Sequence, residues 1–453
     1  MGMTVLAFLV ALTVVIFVHE YGHYRAALAF KVRVVRFSIG FGRPLWRWQR
    51  LQPGIGLPTE FTVCAIPLGG FIKMLDARDQ QIDSAELPFA FSSQPLRAKA
   101  IIVAAGPVAN LVLTFCIYAC LQWLGGLQAL PVIATPIQGS VTESAGLRSG
   151  DWVRQFSING EDGKEVHSFE HLSRLITTAV NDQDDFELEV ASTPNGVSRL
   201  VSIQVAGLEI DRQRSVMTHM GLSGPLTQPV IIRVIQGGPA DQAGLKPGDK
   251  VLKVDHHVVN DGQHLIQFIR SAPSTQLWEV LRDDKSKLLL LVQPAWRELD
   301  GKRIPKIDAV VGSEPQTVWV QQSFVDGLQM ALDAVLTQTM MTFQAVGKLV
   351  STATGWQQLS GPLTMAEYAG KTAEQGWRPF VQFVALISLS VGLLNLLPIP
   401  LLDGGHLMYY LWESVMGRAP SPVWLERLQV MGLSVLALMM FTALLNDVLR
   451  WLT

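Results

Sequence analysis

Five residues near the N-terminus, His19-Glu20-Tyr21-Gly22-His23, carry the residue types and spacing of a metal hydrolase site. On a helix, positions i and i+4 share a face one turn apart, so His19 and His23 can direct two imidazoles at one ion. Glu20 lies beside them as a candidate general base, which completes the His-Glu-x-x-His pattern of zinc hydrolases. Such sites use three protein ligands and leave one position for water, so a further ligand must come from elsewhere. Asp403 is the best candidate. It is an acid expected at the end of a membrane helix, in Pro398-Ile399-Pro400-Leu401-Leu402-Asp403-Gly404-Gly405-His406, where small residues let the backbone approach closely. His406 could also ligate, although a hydrogen bond to surrounding backbone suits it better. Glu20 would take a proton from the attacking water and pass it to the leaving amine. Asn395, about two helical turns before Asp403, could donate to an oxyanion or hold a substrate backbone.

The elements that must position these groups are membrane helices. Hydrophobic residues make up 49% of the 453-residue chain and charged residues 16%, against about 25% charged in a soluble domain. With a mean hydropathy of +0.28, this is the composition of a membrane protein with a sizeable soluble part. A net charge of −2 gives no sign of nucleic-acid binding. The three cysteines (Cys64, Cys116 and Cys120) imply no disulfide framework. The run Met3 to Val18 carries no charge, and ionisable residues inside a membrane are functional by default. It has no basic leader and no A-x-A cleavage site, so it reads as a retained span and not a signal peptide.

Four spans are expected: about Met3–Phe30, Ala98–Leu124, Phe380–Leu397 and Leu428–Leu445. The rise from Met3 to His19 is about 24 Å, which carries the motif to the far side of a hydrocarbon core about 30 Å thick. Beyond it Arg25, Lys31, Arg33, Arg36, Arg43, Arg47 and Arg50 occur with no acid until Glu60. By the positive-inside rule this loop is cytoplasmic, which places the N-terminus outside and the motif near the cytoplasmic face. The second and third spans leave and return, so Asp403 comes back to the face of His23. Two stretches of the basic loop read as strands: Val34–Phe41, leading into a Gly40-Phe41-Gly42 turn, and Phe61–Met74, interrupted by Pro67 and Gly69-Gly70. They form either a surface hairpin or one that dips into the membrane beside the site. In the second span Asn110 is read as a packing hydrogen bond and not a catalytic group.

From about Leu130 to Val292 the composition is that of a soluble region containing a repeat. PVIATPIQGSVTESAGLRSGDWV (131–153) aligns without a gap on PVIIRVIQGGPADQAGLKPGDKV (229–251), 98 residues later. Each copy continues into a helix (Phe169–Ala179; Gly262–Ser271) and a final strand (Phe186–Val190; Leu288–Gln293). Ile158-Asn159 and His256-His257 fall at equivalent turns, and the histidines of this region read as surface residues. Gln316–Trp356 reads as amphipathic helices lying beside the membrane part, with a break at Ser360-Gly361-Pro362.

Together these residues resemble the site-2 protease family of intramembrane zinc metalloproteases. The likeness rests on HEYGH at the end of a first span, on NLLPIPLLDGG (395–405), on SIGFGRPLW, IPLGGFIKM, AGPVAN and LSGPLT, and on four spans overall. The A-G-L-x-x-G-D repeats resemble tandem PDZ domains, inserted as in the bacterial branch that includes the regulator of sigma-E protease. The resemblance implies a polytopic α-helical membrane protein with four transmembrane helices, a membrane re-entrant β-element and two inserted α+β PDZ-like domains. The corresponding divisions are 1–130, 131–220, 221–310, 311–375 and 376–453. It implies that Zn2+ is bound by His19, His23 and Asp403, that Glu20 is the catalytic acid/base, and that Asn395 handles substrate. Gly40, Phe41, Gly42 and Pro398 are expected to handle substrate as well, with the β-element presenting an edge strand to an unwound transmembrane segment. The implied substrates are a single-span anti-sigma factor after a first cut and remnant signal peptides, met in the lipid bilayer of a bacterial inner membrane. The termini and PDZ-like domains would be periplasmic, with the latter acting as a size filter. Two other classes stay open on the residues alone. A non-enzymatic PDZ scaffold binding extended C-termini needs no metal motif, and a transporter using buried acids fits four unrepeated spans poorly.

Overall fold

The computed structural model describes residues 2–77, 82–158, 160, 162–194, 196–205, 215–271, 274–283, 286–299, 302–351 and 361–452. Asn159 and Ser360, two of the expected break positions, lie outside them. The chain forms two compact units, Gly125–Gln321 and a second made of Met1–Leu124 with Gln322–Thr453.

The split unit is built on helix α1 (Gly2–Ala29), whose Ala7, Ala11, Val15, His19, His23 and Ala27 are all buried. These residues recur every fourth position, so they form one stripe along the helix. Small side chains along it allow close packing. A Cβ at Gly22 would lie 2.3 Å from the carbonyl oxygen of Ala105 on α2 (Leu96–Trp123), following the strands β1 (Val34–Leu51) and β2 (Pro58–Met74). After the other unit come α3 (Phe324–Ser351), α4 (Pro362–Gln375), α5 (Trp377–Leu396), α6 (Asp403–Met416) and α7 (Pro422–Leu452). Among the described residues, α1, α2, α5 and the Val423–Leu449 part of α7 are long and apolar enough to cross a membrane. α5 lies against α2: Thr114 Oγ1 donates to the Ala385 carbonyl at 3.0 Å and Ser388 Oγ to the Asn110 carbonyl at 2.9 Å. Asp447 of α7 accepts from the amides of Gly361, Leu363 and Thr364 and so caps α4, whose first turn has no amide partners of its own.

Three expectations change. The strand expected over Val34–Phe41 continues to Leu51, because Gly40 and Gly42, at φ +84° and +86°, form an irregularity within β1 and not a terminating turn. Residues 34–39 pair on one side with 70–74 and on the other with 60–63, while 44–51 pair with 58–64. Two long, bent strands thus make four sheet segments, and the segment 70–74 is left as an edge. Of the stretch Gln316–Trp356 expected as amphipathic helices, Thr317–Val320 is a strand and Phe324–Ser351 one helix, α3, whose start stacks Phe324 on Trp123 at 4.8 Å; residues 352–356 lie outside the described residues. Asp403 opens a new helix and does not close α5. Pro398 and Pro400 offer no amide to continue the helix, and the chain turns through Leu397–Leu402 before α6 begins.

Unit Gly125–Gln321 is tied where the chain enters and leaves, Gly126–Ala129 pairing with Thr317–Val320. Within it each repeat has a four-stranded antiparallel sheet of the same order. The first runs Lys164–Glu165, Trp152–Ile158, Phe186–Ala191, Ser198–Ile203, and the second His257–Val258, Lys250–Val254, Gln276–Arg282, Ser286–Val292. The second repeat therefore has a strand, Gln276–Arg282, between its helix and the strand expected at Leu288–Gln293. Hydrogen bonds recur at the 98-residue offset: Gly150 N to Ile133 O and Gly248 N to Ile231 O, Arg148 N to Asp151 Oδ2 and Lys246 N to Asp249 Oδ2. The glycines of A-G-L and G-D have positive φ in both copies, at 146 and 244 and at 150 and 248.

Candidate metal centre

His19 and His23 point from α1 toward the first turn of α6. Asp403 Oδ2 lies 3.1 Å from His19 Nε2 and 3.5 Å from His23 Nε2, and the two Nε2 atoms are 3.2 Å apart. They belong to the three candidate ligands named from the sequence, and one ligand atom of each lies within 4.8 Å of the others. The tautomer of His23 suits a metal. His23 Nδ1–H donates to the Ile102 carbonyl at 2.8 Å, so Nε2 presents a lone pair to the centre. Two imidazole nitrogens and a carboxylate oxygen, with space beside them, form a donor set that fits zinc with an open position.

The backbone around Asp403 is shaped by the absence of side chains. A Cβ at Gly404 would lie 2.1 Å from the Leu397 carbonyl oxygen, and one at Gly405 would lie 2.5 Å from that of Ile399. This is why Leu-Asp-Gly-Gly can fold back on the Pro-rich turn and bring the carboxylate to α1.

The centre opens into a cleft of about 580 Å³ lined by His19, Glu20, His23, Asp403, His406 and the strand edge Phe71–Met74. Glu20 lies against that edge: a Cβ at Gly70 would be 3.3 Å from its Cγ. The sheet is held to α1 by aromatic packing, Phe37 meeting Phe17 at 5.9 Å and Tyr24 at 5.7 Å. An exposed backbone edge thus runs beside a carboxylate and a ligand cluster, where an extended peptide could pair with it.

The other expected residues are placed less directly. Gly40, Phe41 and Gly42 do not line the cleft; Phe41 is stacked on Phe71 at 6.2 Å and so supports the edge from behind. Asn395 is in the last turn of α5 and Pro398 in the following turn, so Asn395 and Asp403 do not share a helix. Two neighbours of the histidines, the Ile102 carbonyl and Gly106, were not singled out for the site by the sequence, and Asn110, read there as a packing hydrogen bond, lies 3.4 Å from His19 Nδ1. A signal existed, since Gly106-x-x-x-Asn110 has the same four-residue spacing as His19-x-x-x-His23.

Comparison with known proteins agrees with this geometry. The profile described as peptidase family M50 matches residues 7–440. A Ralstonia nicotianae protein named "Putative zinc metalloprotease RSc1411" is 35% identical over 99% of this chain and 98% of its own. Regulator of sigma-E protease RseP of Salmonella typhimurium and of Escherichia coli are each 32% identical, over 98% of both chains. Among solved structures, HtrA-type protease AlgW with a decapeptide covers 24% of this chain and 48% of its own at 18% identity, with a TM-score of 0.14, too small a likeness to argue from. On the family match over residues 7–440, the chain belongs to peptidase family M50.

Proposed function

We propose that this M50 peptidase is an intramembrane zinc metalloprotease in which His19, His23 and Asp403 hold the ion and Glu20 moves the proton. The observation that carries the reading is the convergence of His19 Nε2, His23 Nε2 and Asp403 Oδ2 beside Glu20 in a cleft bordered by a strand edge. Zinc, when bound, polarises the scissile carbonyl and makes water a stronger nucleophile. Glu20 takes a proton from the attacking water and delivers it to the departing amine nitrogen. Phe71–Met74 hold the substrate backbone extended, which a helical segment satisfies only after unwinding, because its peptide groups otherwise bond to one another. Gly40, Phe41 and Gly42 shape that sheet, and Asn395, in the last turn of α5, and Pro398, in the turn before Asp403, handle the substrate.

The relatives' names support a role in sigma-E-type regulation. The substrates we infer for it are a membrane-spanning anti-sigma factor that has already been cut once, and remnant signal peptides. The four candidate spans and the basic loop support an inner-membrane protein with its centre near the cytoplasmic face and its termini and PDZ-like repeats in the periplasm. The repeats would limit access by substrate size. The test is cleavage of a single-span reporter by the wild type and Glu20→Gln, with zinc content measured on both. Equal cutting by the variant would refute the mechanism; a wild type free of zinc would favour a scaffold.

A further inference from the structure

α2 carries a second pair of residues matched to the metal motif. Gly106 stands over His23, where a Cβ would lie 2.3 Å from Nε2. One turn further along, Asn110 reaches His19: its Nδ2 is 3.4 Å from His19 Nδ1. Asn110 is wholly buried, and among the described residues its Oδ1 has no hydrogen-bond partner. Its carbonyl accepts from Ser388 Oγ, and Thr114 Oγ1 shares its one proton between that carbonyl and the Ala385 carbonyl, so the side chain is presented from a well-held main chain.

The two histidines must both offer Nε2 to an ion, so each must keep its proton on Nδ1. His23 meets this requirement through the Ile102 carbonyl. Among the described residues, the hydrogen-bond partner beside His19 Nδ1 is the Asn110 amide. A half-turn of that amide exchanges Nδ2 for Oδ1, which gives Nδ1–H an acceptor and relieves the orphaned oxygen in one step. We propose that Asn110 is the positioning residue for His19. Its side-chain oxygen accepts from Nδ1–H, fixes the ring and its tautomer, and leaves Nε2 free for zinc. This rests on the zinc reading above and extends it to a residue that touches neither substrate nor ion.

The experiment is zinc affinity of the detergent-solubilised full chain, measured by competition with a chromophoric chelator. Asn110→Leu, which fills the space but cannot accept, should bind zinc about 10–100-fold more weakly, the usual effect of losing such a partner. Asn110→Asp, which only accepts, should bind at least as tightly as the wild type. Leu equal to wild type, or Asp as weak as Leu, would overturn the proposal. If the Leu variant fails to fold, the Asp variant decides alone, because a donor or packing role predicts weakened zinc there. Failure of the underlying reading is distinct: the wild type itself would then bind no zinc.

Discussion

Gly106 lies against His23 so closely that a Cβ on residue 106 would come within 2.3 Å of Nε2, the nitrogen that faces Asp403. The first prediction follows. Gly106→Ala forces the imidazole out of position, and zinc affinity should fall by about 10–100-fold, the scale on which ligand-orienting contacts act. Overpacking should also cost about 1–3 kcal/mol of stability. Chelator competition and thermal unfolding on the same preparation separate the two effects.

Removing the metal and removing the base should differ. Chelation should abolish cleavage of the reporter, and added zinc should restore it. Glu20→Gln should keep zinc but lose about 10²–10⁴-fold in rate, the contribution of positioned proton transfer. Asp403→Ala should lose both zinc and cleavage. Metal content by mass spectrometry, read beside the rate, distinguishes the three cases.

Asp261 joins the two repeats of the soluble unit. Its Oδ1 accepts from the His264 amide at 2.8 Å, while Oδ2 accepts from Thr135 N at 2.7 Å, from Thr135 Oγ1 at 2.6 Å and from Ser149 Oγ. Ser168 accepts from the His171 amide in the same capping role in the first repeat, with only one oxygen. Asp261→Ser should therefore keep the cap and lose the bridge, at about 1–3 kcal/mol. Spin labels at the exposed positions Val197 and Leu289 should then report a broader distance distribution between repeats. An unchanged distribution would show that the bridge does not set their orientation.

Asp249 makes the second repeat acid-sensitive. Its burial opposes ionisation, but hydrogen bonds from Arg282 and the Lys246 amide, and the charges of both residues, outweigh it and hold the carboxyl below its ordinary value. The unfolded chain then binds the proton more readily, so the contribution is complete above the unfolded value of about 3.9. It is lost as pH falls through the lower folded value. Asp249→Asn should flatten the acid limb of a stability–pH curve and lower stability at neutral pH by about 1.5–3 kcal/mol, the worth of a charged hydrogen bond.

Much of the site was legible in one dimension because its chemistry depends on local periodicity. His19 and His23 are one helical turn apart whatever surrounds them, and Glu20 is their neighbour. Long apolar runs marked the four candidate spans, and the repeat at a 98-residue offset was visible because each copy needs glycine where φ is positive. The strand ends were less legible. Gly40 and Gly42 suit a turn or a bulge equally well, and only pairing with residues on both sides of 34–39 made β1 one strand. Gln276–Arg282 was missed because a half-buried strand of mixed residues has no signal apart from its partners.

The sequence by itself determined the candidate ligand types, the helical spacing of the two histidines and the need for a third donor if they hold a metal. Tertiary structure decided that Asp403, 380 residues beyond His23, reaches the centre from the start of α6 and not from the end of α5. It also decided that the strand edge 71–74 borders Glu20, and that Gly106 and Asn110 of α2 lie against His23 and His19. The reason is physical. Periodicity along a helix fixes which residues share a face, whereas which face meets which is settled by packing between helices distant in sequence.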